Sequence, residues 1–293
     1  MTSAPLDRTP AWMLAGAAML SAQLGAAISV GLFDEIGVAG TAWLRITLGA
    51  IGFVLIARPR YWRWTWRELR APVLLGVVSA AMTLSFLAAI DLLPLGTVVA
   101  IGFLGPLTLA ALHSRTCRAL AWPILALVGV VLLTEPWQGT PSLLGIAYAA
   151  LAGVCWGLYI VVTQHVGDRF AGVDGLAISL PVAAVVTAVV GLPQAWGHLT
   201  PQVLLVGLAA ALLLPLMTWT LELYALRRLT KSAFGTLMAL EPAIALAIGM
   251  VVLHQVPDAP QLIGIGCVVL AGIAAERTGQ READLPDFET RAA

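Results

Sequence analysis

The chain has 293 residues, 60% of them hydrophobic and only 11% charged, with a formal net charge of zero and a mean hydropathy of +0.92. Soluble domains carry about 25% charged residues, so these totals exclude a soluble globular protein and place the chain in a bilayer. The sequence has no basic block with interleaved aromatics, which argues against nucleic acid, and Cys117, Cys155 and Cys267 have no metal-ligand spacing.

At 1.5 Å per residue and roughly 30 Å of hydrocarbon, the apolar runs predict ten transmembrane helices. They cover residues 11–32, 38–57, 71–90, 95–113, 119–134, 142–165, 173–193, 202–225, 233–253 and 260–276. The first is read as a retained helix rather than a cleaved signal, because nine further spans follow it. Between spans 2 and 3, the Trp- and Arg-rich segment Tyr61–Trp66 has the composition of an interfacial anchor. Residues 277–293 are polar and charged and are expected to form a disordered tail.

Every Lys and Arg except Arg45 falls in alternate loops or at the termini. These are Arg8; Arg58, Arg60, Arg63, Arg67 and Arg70; Arg115 and Arg118; Arg169; Arg227, Arg228 and Lys231; and Arg277, Arg281 and Arg291. The intervening loops hold acids such as Asp34, Glu35, Glu135 and Asp258. The positive-inside rule then places both termini in the cytoplasm. A shift of 136 positions lays Pro106 on Pro242, Leu104 on Leu240 and Ala89 on Ala225 without a gap. The turn between the matched spans is acidic in the first copy (Asp91) and basic in the second (Arg227, Arg228, Lys231), so the copies insert in opposite directions. The expected fold is all-α and integral to the membrane. Its ten helices form two inverted five-helix repeats, over 1–136 and 137–276, with a substrate site near the midplane.

Few polar residues interrupt the spans. Glu241 is a carboxylate within span 9, and Pro242, which has no N–H, frees the carbonyl of Met238 one turn earlier. Gly105 and Pro106 occupy the matching positions in span 4, so a helix break is expected at both sites. Arg45 in span 2 and Glu241 differ in depth by about 8 Å, within reach of an extended arginine. They form a structural pair, or Arg45 snorkels to the outer headgroups, or the two face a shared cavity that grips the two ends of a zwitterion. Glu222 lies near the inner end of span 8 and is a further candidate, as is Gln23, a mid-span amide in span 1. Trp156 and Tyr159 in span 6 are three residues apart and share a helix face. They lie beside Gly153 and Gly157, whose spacing permits close helix approach. Gln164, Trp219, Met82, Thr83 and Phe86 complete the set of possible cavity residues.

Catalytic signatures are missing. His113, His165, His198 and His254 lack metal-site spacing, no glycine-rich turn leads to a P-loop lysine, and the glycines at 264 and 266 fall short of a dinucleotide fingerprint. The chain is read as a transporter and not an enzyme.

The stretches FGTLMALEPAIALAIGM (234–250), LPLGTVVAIGFLGPLTLAAL (93–112) and GVCWGLYIVVTQ (153–164) resemble the EamA type of the drug/metabolite transporter superfamily, in its threonine/homoserine exporter branch. The resemblance spans nearly the whole chain. It implies a ten-helix, inverted-repeat secondary carrier of the cytoplasmic membrane, exporting small amino acids or related metabolites against proton influx. Its energy source would be the proton gradient, with no bound cofactor, and its partners a small-molecule substrate and membrane lipid. Export of drugs or other amphipathic metabolites stays open, as does a monomeric or homodimeric state. Carried over by position, the resemblance favours Glu241, Pro242, Gly105, Pro106, Trp156, Tyr159, Arg45 and Glu222. The chain departs from the pattern in span 3, where SFLAAI lacks a tyrosine, and in span 8, where Trp219 replaces a smaller aromatic.

Overall fold

A backbone in hydrocarbon must satisfy its own polar groups, and this one does so with helices. The computed structural model describes residues 9–59, 64–113, 121–135, 142–167, 169–170, 173–226 and 237–279, and among these it contains helix and no strand. The helices are α1 (Ala11–Val30), α2 (Phe33–Ala57), α3 (Trp66–Ile90), α4 (Leu95–His113), α5 (Ala121–Thr134), α6 (Leu143–Gly167) and α7 (Asp174–Ala195). α8 then runs in three pieces, Pro201–Ala211, a π-helical Leu212–Met217 and Thr218–Leu226, followed by α9 (Glu241–Val252) and α10 (Ala259–Gly279). Each predicted span has its helix. Among the described residues, six helical stretches are long and apolar enough to cross a membrane, in α1, α2, α3, α6, α7 and α8, and shorter apolar stretches cover Leu95–Thr108, Ala121–Thr134, Glu241–Val252 and Ala259–Ala274. The tail beyond Gly279, residues 61–63 of the tryptophan-rich segment, the boundary at 136/137 and the basic turn 227–231 lie outside the described residues.

Several ends have clear local causes. α3 starts at a capping box, in which the Thr65 backbone N–H donates to Glu68 Oε2 at 2.7 Å and the Thr65 hydroxyl does so at 2.8 Å. α8 starts with Pro201 in its first turn and the Thr200 hydroxyl accepting from Val203 N–H at 3.2 Å. α2 begins earlier than predicted because a first helical turn joins the span across a kink at Gly37, where φ is +72°, a conformation glycine tolerates.

Pro106, Pro242 and Pro215 behave differently. α4 continues through Gly105 and Pro106, so the break expected there does not occur. Pro106 frees the carbonyl of Gly102, and a Cβ placed on Gly153 of α6 would lie 2.8 Å from that oxygen. The backbone of α6 thus covers the freed group. Span 9 is interrupted as expected: Leu237 and Met238 are helical, Ala239 and Leu240 form a turn, and α9 starts at Glu241. Span 8, expected to be continuous, is distorted at Leu214, whose φ and ψ are −139° and 112°. There Ser21 and Thr218 hydroxyls donate to the Leu213 carbonyl at 2.8 and 2.9 Å. Pro215 was the overlooked signal.

The most extensive packing joins α2 to α7, α3 to α6 and α5 to α10. α3 also meets α7, α4 meets α6 and α9, α1 meets α8 and α9, and α2 meets α8. The perimeter is apolar, with Leu55, Ile56, Val185, Val189, Leu205 and Val251 all exposed, as lipid contact requires. At the end of the bundle that carries the acidic loops, Gln194 Oε1 lies over Gly37 and accepts from the N–H groups of Ala39 and Gly40 at 3.0 and 3.3 Å. Gln255 Oε1 does the same for α4, accepting from Leu95 N–H at 3.1 Å. Replacing Gln194 with Ala leaves two helix-start donors unmatched and should destabilise the protein by about 1 kcal/mol. Gln194→Glu keeps the acceptor and should lose less. Thermal unfolding in detergent reads the difference.

Candidate functional site

Glu241 is the first residue of α9 and Pro242 the second, both buried. The interruption before them places a carboxyl group at a helix N-terminus in the middle of an apolar bundle, where the positive end of the helix dipole faces it. Its partner comes from α1. Gln23 Nε2 donates to Glu241 Oε1 at 3.1 Å, and Gln23 is itself 3% exposed. The two remaining oxygens, Glu241 Oε2 and Gln23 Oε1, are buried without a hydrogen-bond partner among the described residues. Both are acceptors when Glu241 is ionised. One proton on Oε2, or one ammonium placed between them, supplies the donor they lack.

Arg45 does not pair with Glu241. It is 3% exposed on α2 and donates from Nη1 to Ser29 Oγ at 3.2 Å, and Ser29 in turn donates to the Gly25 carbonyl at 2.7 Å. Gln23 and Ser29 both belong to α1, six residues and about 9 Å apart along its axis. Arg45 of α2 and Glu241 of α9 are thus each tied to α1, at two stations along that helix.

Trp156 and Tyr159, expected to line one face, go to different neighbours. Trp156 meets Phe103 of α4 edge-on, with ring centroids 6.3 Å apart, and packs into an apolar cluster with Leu133, Ile265 and Val268 of α5 and α10. Tyr159 meets Trp219 of α8 at 5.8 Å, and Trp219 meets Phe53 of α2 at 6.4 Å. Three residues is 300° of helix rotation, and the bundle is close enough at α6 for that offset to select different helices. Glu222, half-buried and three residues after Trp219, interacts electrostatically with both Tyr159 and Glu241. An aromatic wall of Phe53, Trp219 and Tyr159 therefore stands next to a second acid. The Gln164 side chain lies outside the described residues. In α3, Thr83 is buried, Met82 is half-buried, and Phe86 packs into the main apolar core.

Glycines set the distances between these helices. A Cβ on Gly105 would strike the backbone of Gly153, and one on Gly157 would lie 3.6 Å from the backbone of Gly105. The Gly153/Gly157 pair thus permits the α4–α6 approach. Gly25, Gly49 and Gly52 form notches that receive Leu214, Pro215 and Leu216 of the distorted α8. Ser21 and these notches were missed in the sequence. Only Pro215, with small residues spaced along spans 1 and 2, hinted at them.

Known proteins resemble this chain over most of its length. A profile of the EamA-like transporter family matches residues 143–275. The threonine/homoserine exporter RhtA of Escherichia coli (strain K12) is 34% identical over 292 residues, covering 97% of this chain and 98% of that protein. Its counterpart in Salmonella typhimurium (strain SL1344) is 34% identical over 279 residues, or 94% of each chain. A solved crystal structure covers 94% of this chain and 99% of its own, with a TM-score of 0.62 and 17% identity, a likeness of fold alone.

Proposed function

Since the chain belongs to the EamA-like transporter family and is a multi-pass protein of the cytoplasmic membrane, we propose that it exports threonine, homoserine or closely related small amino acids, coupled to proton entry. The observation that carries this reading is the buried Glu241–Gln23 pair with its two unpartnered acceptors. Such a site takes up either a proton or a substrate ammonium. Competition between the two for one carboxylate is the simplest form of exchange, because loading one cation requires release of the other. Arg45 holds the substrate carboxylate, exchanging its bond to Ser29 for a charge-assisted one. Tyr159, Trp219 and Glu222 line the route between this site and the arginine-rich end of the bundle, and Trp156 supports the α4 wall. Pro242 places Glu241 at the start of α9, while Gly105 and Pro106 adapt α4 to α6.

Movement follows from the architecture. We read residues 1–136 and 137–276 as inverted repeats with both termini cytoplasmic, and the pattern of packing supports this. Exchanging each helix with the one five places along maps α3–α6 onto α8–α1, α4–α6 onto α9–α1 and α3–α7 onto α8–α2. The pairs α2–α7, α4–α9 and α5–α10 map onto themselves. Two conformations related by this exchange open the site alternately to either side. The energy comes from the proton gradient and no bound cofactor is required.

Efflux of labelled threonine and homoserine from preloaded cells, with and without the protein and across an imposed proton gradient, tests the reading. Gradient-dependent efflux is expected. Equal efflux with and without protein that is present in the membrane would reject the substrate assignment.

A further inference from the structure

A cavity of about 330 Å³ opens beside the start of α3, lined by Trp64, Glu68, Arg169 and Phe170. It lies at the level where the apolar run of α3 begins and where Trp66 is 65% exposed. That is the headgroup level of a bilayer, whichever way the chain is inserted. The floor is rigid. Phe170 is buried against Leu75, Val166 and Ile178, and Trp64 packs on it with ring centroids 5.4 Å apart. The two exposed walls carry opposite charges. Glu68 is held in place through Oε2 by the Thr65 capping box, which leaves Oε1 without a partner among the described residues. The Arg169 guanidinium likewise has no hydrogen-bond or ion-pair partner among the described residues. The two charges act on each other through space without closing into a salt bridge. A cation and an anion kept apart above an aromatic floor match a ligand with its own anion and cation in reverse order.

We propose that this cavity binds the phosphoethanolamine headgroup of a membrane phospholipid. The phosphate meets Arg169, whose planar donors suit phosphate oxygens. The primary ammonium donates to the free oxygen of Glu68, and the glycerol region rests on Trp64, an amphipathic ring of the kind enriched at interfaces. Phosphatidylglycerol offers the phosphate without the ammonium, and phosphatidylcholine offers a cation without N–H donors.

Native mass spectrometry of the full chain in detergent, with each of the three lipids and with soluble phosphoethanolamine, tests the assignment. Phosphatidylethanolamine should be retained about fivefold or more over phosphatidylglycerol, consistent with one added charge-assisted hydrogen bond. Glu68→Gln keeps the capping box, since glutamine serves at that position, and should abolish the preference without changing thermal stability. Arg169→Gln should weaken binding of both phosphatidylethanolamine and phosphatidylglycerol. Equal retention of these two lipids by the unaltered chain, or unchanged preference in Glu68→Gln, would overturn the proposal. Binding of soluble phosphoethanolamine as tight as that of the lipid would also overturn it, reassigning the cavity to a soluble ligand.

Discussion

Glu241→Gln is expected to lower threonine efflux by at least about tenfold, the rate equivalent of about 1.4 kcal/mol, while the protein accumulates normally and melts no earlier. The geometry separates these two effects. In the native site, Glu241 Oε1 accepts from Gln23, while Glu241 Oε2 and Gln23 Oε1 face the interior unmatched. A glutamine at 241 retains the acceptor and adds an amide N–H₂ that can donate to the Gln23 oxygen. Folding therefore loses nothing and gains a hydrogen bond. The proposed exchange loses its titrating group, because an amide neither binds and releases a proton nor carries the negative charge that holds an ammonium. Gln23→Leu acts in the opposite direction on stability, since it strips the carboxyl group of its partner in a buried site and should lower abundance as well as efflux. Efflux counted per molecule in the membrane, alongside a melting curve in detergent, distinguishes the two variants. Full efflux by Glu241→Gln would remove this residue from the transport mechanism.

Gly105→Val is expected to cost the top of the roughly 1–3 kcal/mol range for overpacked cores, or more, and to leave little folded protein. All three heavy atoms nearest to a Cβ at this position belong to the backbone of Gly153. No rotamer change relieves such a contact, so α4 must separate from α6. That separation uncovers the Gly102 carbonyl freed by Pro106, adding the penalty of an unsatisfied buried polar group. Two glycines serve as controls. A Cβ on Gly16 or Gly266 meets nothing within 4 Å, so alanine there should be neutral or stabilising by up to about 1 kcal/mol. Fluorescence-detected gel filtration before and after heating reads all three variants. A Gly105→Val protein as stable as the Gly16→Ala protein would show that the α4–α6 contact is looser than described.

Much of the architecture was legible in the chain because it depends on local quantities. The length of an apolar run against the thickness of hydrocarbon placed each helix to within a few residues, apart from the kinked start of α2, the early start of α3 and the late start of α9. The anomaly of a carboxylate before a proline in an apolar stretch marked Glu241. Small residues four apart marked Gly153 and Gly157 as a contact. Less legible was what a mid-span proline does. Pro106 leaves α4 intact and Pro215 accompanies a π-helical distortion of α8. The difference lies in the neighbours: α6 covers the carbonyl freed in α4, whereas in α8 hydroxyls from α1 and α8 take the displaced one.

Membrane class, the number of apolar spans and the unusual carboxylate follow from residue order, since each is an energy of transfer or a helix rise summed along a short segment. Partner choice does not. Glu241 is hydrogen-bonded to Gln23, 218 positions away, and Arg45 to Ser29 instead of to the acid at similar depth. Trp156 and Tyr159 share a helix and separate into different clusters. Such pairings depend on helix rotation and on separations of a few ångströms set by glycine contacts between distant segments. Only the packed bundle decides them.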